Sequence, residues 1–307
     1  MNYIKVSEAA KKWGISPRRV RLLCSQNKIE GAIQEGKLYM IPENAEKPAD
    51  ERTKESKILQ QSPYSEIFQR INEKQDALEK ARPLTSVESQ RLKKEFLADF
   101  ISNSCGFANS TLTLNDISLI LDDISISEKS VSEHLDVIGL KDAYHYLEKN
   151  INEKNFLSEQ TILNTHTFML LREPFDKGQY RKIPLRKLNS HGQTSEPNQI
   201  EKDLKELLRT NEKRKKSMHF IERLVLFHLE FEGIHPFIEG TDNINRLLFN
   251  LQLMLEDLPL IQFEQQDKKK YYEAFNTYFT DEDPTPMIEL LGGYVEKSLD
   301  FYIDMLS

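Results

Sequence analysis

Along most of the chain, apolar residues recur three and four positions apart, the spacing that lines one face of an α-helix. Ile221, Leu224, Val225 and Leu229 are typical. This spacing predicts helices over 65–82, 86–102, 115–123, 128–135, 140–150, 158–172, 197–211, 217–232, 243–256, 268–279 and 285–304. Two stretches break the pattern. Residues 178–196, GQYRKIPLRKLNSHGQTSE, are rich in turn formers and are expected to make a small two-stranded flap. The first 50 residues mix short helical and strand-like patterns. The fold expected is a mostly α, all-α core with a small β-hairpin flap, preceded by a small separate module, and no internal repeat is visible.

Within that module, Ser7 is placed to cap a helix that runs through Trp13 and ends at Gly14. Ser16 then caps a second helix with Pro17 at its first position. Ala9, Ala10, Trp13, Val20, Leu22 and Leu23 supply faces that bury one helix on the other. AIQEGKLYMIP after Gly31 alternates around Glu35-Gly36 as a hairpin does. From Lys47 to Gln61 the chain is polar, which sets a division into 1–50, a polar and helical linker over 51–83, and a large domain over 84–307.

Charge changes meaning once the chain is divided. With Lys+Arg 42 and Asp+Glu 49, the 307 residues carry a net −7, which argues against a nucleic-acid partner. Residues 1–50 hold nine basic and six acidic residues, so the segment is +3 and the rest is −10. The most apolar run, Leu247 to Leu255, is broken by Asn250 and Gln252 and falls short of the ~20 residues of a membrane span, so no membrane partner is expected. MNYIKVSEAAKKWG has no apolar core of a secretory signal, and Cys24 and Cys105 match no metal-ligand spacing. A cytoplasmic protein with reduced thiols is the expectation.

The second helix of the small module begins with Arg18, Arg19 and Arg21, and Lys37 lies on the hairpin. Arginines at the start of a recognition helix can grip guanine edges or phosphates. A solvated helical hairpin with an ordinary charge run is the alternative. EAAKKWGISPRRVRLL followed by a hairpin also resembles the DNA-binding head of MerR-like and excisionase-like winged helix–turn–helix proteins. That resemblance implies DNA as a partner and a homodimer matched to paired half-sites.

The densest local signal is HLEFEGIHPFIEGTDNINRLLFNLQLMLEDLP. It places His235 beside Pro236 in a loop, then Glu239 and Gly240, then a helix carrying Arg246. A helix N-terminus behind a glycine loop can take an anion, a histidine can act as base, and a carboxylate can hold Mg²⁺. A packing or surface histidine is the alternative reading. The stretch resembles the Fic (Fido-domain) signature H-x-F-x-[DE]-G-N-G-R-x-x-R. TLTL at 111–114, LSEQTILNTHTFML at 157–170, GQYRK at 178–182 and Tyr271–Tyr272 resemble further Fic landmarks in order, over roughly residues 84 to 300.

The resemblance implies transfer of AMP from ATP to a hydroxyl of a target protein. It assigns His235 as general base, Phe237 as the loop's anchor in the core and Glu239 as the Mg²⁺ ligand. Gly240 and the backbone after it would form the anion hole, with Arg246 facing the γ-phosphate. Ile183 and Leu185 lie in a 183–194 flap that would clamp an extended target segment.

Several positions depart from the signature. Thr241, Asp242 and Asn243 stand where the family has Asn-Gly-Arg. A bidentate phosphate donor is lost, and a carboxylate is placed where phosphates should lie. Many Fic proteins also carry an inhibitory helix [ST]-x-x-x-E-[GN]. Its counterpart here, at 102–110, has Ser104, Ala108 and Asn109, with alanine in place of the glutamate. The joint loss favours a Fic-family DNA-binding regulator whose nucleotide site is silent or altered. The alternative is an active Mg²⁺- and ATP-dependent AMP transferase without its brake. Outside the motif, His228 reads as a core histidine, His191 as a solvated flap residue, Lys213 to Lys216 as a solvated helix end, and Tyr271, Tyr272, Phe275, Tyr278 and Phe279 as mostly core.

Overall fold

The computed structural model describes residues 3–15, 17–25, 28–35, 38–47, 62–151, 157–173, 175–185 and 194–307. The small module contains β1 (Tyr3–Lys5), α1 (Val6–Trp13), α2 (Pro17–Ser25), β2 (Ile33–Glu35) and β3 (Leu38–Pro42). Its sheet is antiparallel in the order β1-β3-β2, with Glu35 opposite Leu38 and Tyr3 opposite Pro42. Ala9, Ala10, Trp13, Val20, Leu23, Cys24, Ile29 and Ile41 form a core separate from that of the large domain. Gly14 ends α1 in the left-handed conformation, φ 67°, as its lack of a side chain allows.

The start of α1 differs from the sequence expectation. The helix begins at Val6, so Ser7 lies inside it. The free N–H of Lys5 is taken instead by the Glu8 carboxylate at 3.0 Å. Ser16 and Lys37 lie outside the described residues, as do the side chains of Arg18 and Leu22.

The large domain is helical: α3 (Ser65–Lys80), α4 (Ser86–Phe107), α5 (Leu114–Leu121), α6 (Val131–Asn150), α7 (Glu159–Met169), α8 (Ile200–Arg214), α9 (Phe220–Ile234), α10 (Thr241–Leu255), α11 (Lys268–Asp281) and α12 (Thr285–Leu306). Thr85, Thr113 and Ser130 open α4, α5 and α6 with reciprocal caps to Glu88, Asp116 and Glu133. The hairpins α9–α10 and α6–α7 pack into one core that includes Leu224, Phe237, Leu248 and Val295. Among the described residues, no helix is long and apolar enough to cross a membrane.

Three expectations about this domain are corrected. Residues 128–135 and 140–150 belong to one helix, α6, and Gly139 is inside it. A Cβ at Gly139 would stand 2.0 Å from the Met169 carbonyl oxygen, so this glycine lets α6 approach α7. Helix α4 continues past 102 to Phe107 for a related reason, since Gly106 accommodates Gln265. The linker expected over 51–83 ends in α3, whose Phe68 and Ile71 are fully buried in the main core beside α12. Residues 48–61 lie outside the described residues. The predominantly α architecture matches the expectation, and the sheet lies in the small module. Residues 183–185 carry no strand, and 186–193 are outside the described residues.

Because α3 is core rather than tether, Phe68→Ala should cost about 3–5 kcal/mol of stability by urea unfolding. A loss below about 1 kcal/mol would place α3 outside the cooperative unit.

Candidate functional site

The motif loop spans the gap between α9 and α10. Helix α9 ends at Ile234, and His235 caps it in the left-handed region, φ 47°, a conformation uncommon for non-glycine residues. The holding group is Arg181, which is 2% exposed. Its Nε donates to the His235 carbonyl at 2.8 Å, Nη1 to Ile183 at 2.9 Å, and Nη2 to Ser195 at 2.5 Å. Its backbone N–H donates to Pro236 at 2.9 Å. A guanidinium thus closes the negative end of α9 and binds the flap's two stems to the loop.

The opposite wall is His166. Its Nδ1 accepts the Gly178 N–H at 2.9 Å, which leaves Nε2 to donate to the Glu239 carbonyl at 3.1 Å. The ring stacks on Phe237 at 3.8 Å, and Phe237 itself is fully buried. Burial pushes the His166 imidazole down to about 4, so it is neutral in this role. Gly240 caps α10 with φ 81°, and a Cβ there would meet Met169 Cε at 2.2 Å. Only glycine fits.

At the start of α10 the three departing residues all have structural partners. The Thr241 hydroxyl is buried and bridges the N–H and carbonyl of Phe237 at 3.2 and 3.3 Å. Asp242 accepts from the Tyr272 hydroxyl at 3.4 Å. The Asn243 side-chain oxygen accepts from Arg246, one turn on. Arg246 is 1% exposed, sits 4.7 Å from the centre of the Phe107 ring, and has no partner for Nε or Nη1. Phe107 ends α4, so the segment at 102–110 does reach Arg246, through an aromatic face rather than a carboxylate. Ser104 is buried there, while Ala108 and Asn109 are exposed.

The acidic groups fall into two sets. Glu239 is paired with Arg172 at 2.9 Å, and Arg172 also holds Asp136 at 3.0 Å. Asp136 is raised above the usual carboxylate range by burial, an effect Arg172 opposes. The second set is Glu232, His235 and Asp242, whose ligand atoms all lie within 4.8 Å of one another. His235 Nδ1 is 3.2 Å from Glu232 Oε1. The sequence pattern alone does not single out Glu232, Arg181, Arg172 or His166. Helical spacing could have flagged Glu232, three residues before His235 on the same face.

These residues fit Mg·ATP poorly. Asp242 places a carboxylate at the helix terminus where a polyphosphate would sit, the Thr241 hydroxyl is engaged with the loop, and Glu239 is engaged by Arg172.

Other sequence candidates are placed as follows. His228 is buried, bonded to the Tyr271 hydroxyl at 2.8 Å and lowered to about 3 by desolvation. Tyr271 and Phe275 are core, whereas Tyr272 is exposed and meets Asp242. Lys213, Lys215 and Lys216 are at a helix end, but Arg214 pairs with Glu230 at 2.6 Å and ties α8 to α9. Both cysteines are free, and burial pushes Cys24 up to about 11 and Cys105 to about 12. Ile183 is exposed, Leu185 is half-buried, and His191 is outside the described residues. Arg21 is exposed, while Arg19 lines a small cavity with Gln75, Glu79, Glu256 and Asp257 of the large domain.

Residues 156–253 match the Fic/DOC family model. It is 27% identical over 269 residues to the protein adenylyltransferase Fic of Drosophila ananassae, covering 87% of this chain and 53% of that protein. The Aedes aegypti protein of the same name is 26% identical over 244 residues, covering 77% and 47%. The chain spans about half the length of these curated relatives. Among solved structures, a Fic-1 fragment from C. elegans is similar with TM-score 0.71 and 22% identity, covering 83% of this chain and 74% of that one. A Fic domain containing signaling protein from Bacteroides thetaiotaomicron is similar with TM-score 0.70 and 20% identity, covering 76% and 96%.

Removing the loop's main support has a measurable consequence. Arg181→Ala leaves several carbonyls without donors and should cost about 3 kcal/mol or more, with faster amide exchange at 234–237 by mass spectrometry. Unchanged exchange would mean that the loop holds itself. Acid acts on the buried histidines. His166, His219 and His228 are lowered to about 4, 3 and 3, so between their unfolded value near 6.5 and those values the unfolded chain binds more protons. Stability should therefore be complete above that unfolded value and fall as pH drops below it. Each histidine contributes up to about 1.4 kcal/mol per pH unit. Urea midpoints across that range should show the slope, and His228→Asn should flatten it.

Proposed function

We propose that this chain is a DNA-binding regulator whose Fic domain does not transfer AMP from Mg·ATP. The observation that carries the reading is Asp242, a carboxylate at the N-terminus of α10 within 4.8 Å of the His235 and Glu232 donors. Polyphosphate brought there meets like charge in a largely desolvated site, with Arg246 as the single motif arginine left to offset it. The name of the curated relatives, protein adenylyltransferase, makes AMP transfer the competing reading, in which His235 is the base and Glu239 the Mg²⁺ ligand. The absence of a glutamate at Ala108 suits that reading also, since nothing acidic there restrains Arg246.

The small module supports the DNA half of the proposal. Two short helices beside a three-stranded antiparallel sheet, with Arg18, Arg19 and Arg21 opening the second helix, support the winged helix–turn–helix reading. A net +3 against −10 for the rest of the chain directs phosphate toward that end. The Fic domain then acts as a sensing, protein-binding or dimerising unit, with the flap as the contact surface for a target protein. Paired half-sites on DNA call for a homodimer.

Calorimetry with Mg·ATP, run beside label transfer from α-³²P-ATP, decides the enzymatic half. No binding at millimolar ATP and no transfer are expected, and restoring Asn, Gly and Arg at 241–243 should recover ATP binding. Transfer that disappears in His235→Ala would overturn the reading. For the DNA half, Arg18→Ala and Arg21→Ala should weaken duplex binding in fluorescence anisotropy and lower the salt slope by about one for each phosphate no longer neutralised. Salt-insensitive retention would refute it.

A further inference from the structure

The cluster that makes the site unsuitable for polyphosphate has the chemistry of a cation site. Glu232 comes from the last turn of α9, His235 from the strained loop and Asp242 from the first turn of α10. The end of α9 and the start of α10 thus bring one imidazole and two carboxylates to within 4.8 Å of one another. Ligands sharing a first-row ion at about 2.1 Å stand roughly 3.4 Å apart in tetrahedral geometry. His235 Nδ1 and Glu232 Oε1 are already 3.2 Å apart. With separations of up to 4.8 Å, Asp242 needs to draw in by at most about 1.4 Å, within reach of a side-chain rotation.

We infer that Glu232, His235 and Asp242 bind a divalent first-row transition ion, Zn²⁺ or Mn²⁺, at the place where the Fic signature has its phosphate loop. The inference rests on the reading that this site does not take Mg·ATP. One nitrogen and two carboxylate oxygens favour such an ion over Mg²⁺, which prefers oxygens and keeps its waters. Charge agrees with the assignment. Two carboxylate side chains share the pocket with one guanidinium, and a dication supplies the positive charge that this set of groups lacks.

Arg246 supplies an independent observation. It lies one helical turn beyond Asp242, is 1% exposed, and has two donors, Nε and Nη1, without partners. Buried guanidinium donors are seldom left unmet in folded proteins. The ion's remaining positions would be held by water or a small anion, and Arg246, on the same helix as Asp242, is a charged side chain with donors to offer one.

The test is metal titration of the full chain, read by competition with a chromophoric chelator. One Zn²⁺ or Mn²⁺ per chain is expected, with Mg²⁺ far weaker, and the metal should raise the melting temperature. Asp242→Asn and Glu232→Gln should each weaken binding at least tenfold and abolish the rise. Asp242→Asn keeps the size of the side chain, and its metal-free melting curve checks its fold. Should it unfold, His235→Gln carries the same comparison. Absence of saturable binding, or affinity unchanged in all three variants, overturns the inference while leaving the regulator reading intact. Label transfer from ATP would defeat that reading whatever the metal does.

Discussion

The site depends on one buried cation. Arg181 satisfies carbonyls at the end of α9, in the loop and in both stems of the flap. A helix end left without donors is costly, and a left-handed histidine adds to that cost, so both must be offset by neighbouring contacts. With the guanidinium in place, His235 is held facing Glu232, and the turn into α10 is fixed by His166, Phe237 and Gly240. Burial lowers the affinity of Arg181 for its proton, a measure of how thoroughly carbonyl dipoles must replace water around it.

The loop's supports come from three regions distant in sequence. His166 lies on α7, Arg181 follows it, and Tyr272 lies on α11. Each meets the loop through a polar contact over a hydrophobic floor of Phe237, Met169 and Phe107. Such a frame tolerates chemical change at the motif itself. Thr241, Asp242 and Asn243 all find partners without disturbing the helix behind them.

Much of the helical core could be read from the sequence, because apolar periodicity follows from burial of one face. The same logic correctly made His228 a core residue and kept Tyr271 and Phe275 inside. Where the structure departs from that pattern, a tertiary contact overrules a local signal. Gly139 reads as a break until Met169 is seen to need its missing side chain, and α3 reads as tether until Phe68 is found beneath α12. Arg181 and Glu232 are harder still. A buried arginine looks like any other basic residue until the carbonyls at the end of α9, over fifty positions away, are brought to it. The charge split was visible in the sequence, but the proximity of Arg19 to the acidic residues of the large domain was not.

The bond between Asn243 and Arg246 bears on how this sequence can change. With arginine at 243, Arg246 would lose its side-chain acceptor and gain a like charge three residues away on the same helix face. Asn243→Arg therefore takes an acceptor from a buried cation and sets a second positive charge beside it, so the residue tolerated at 243 is tied to whatever anion stands near Arg246.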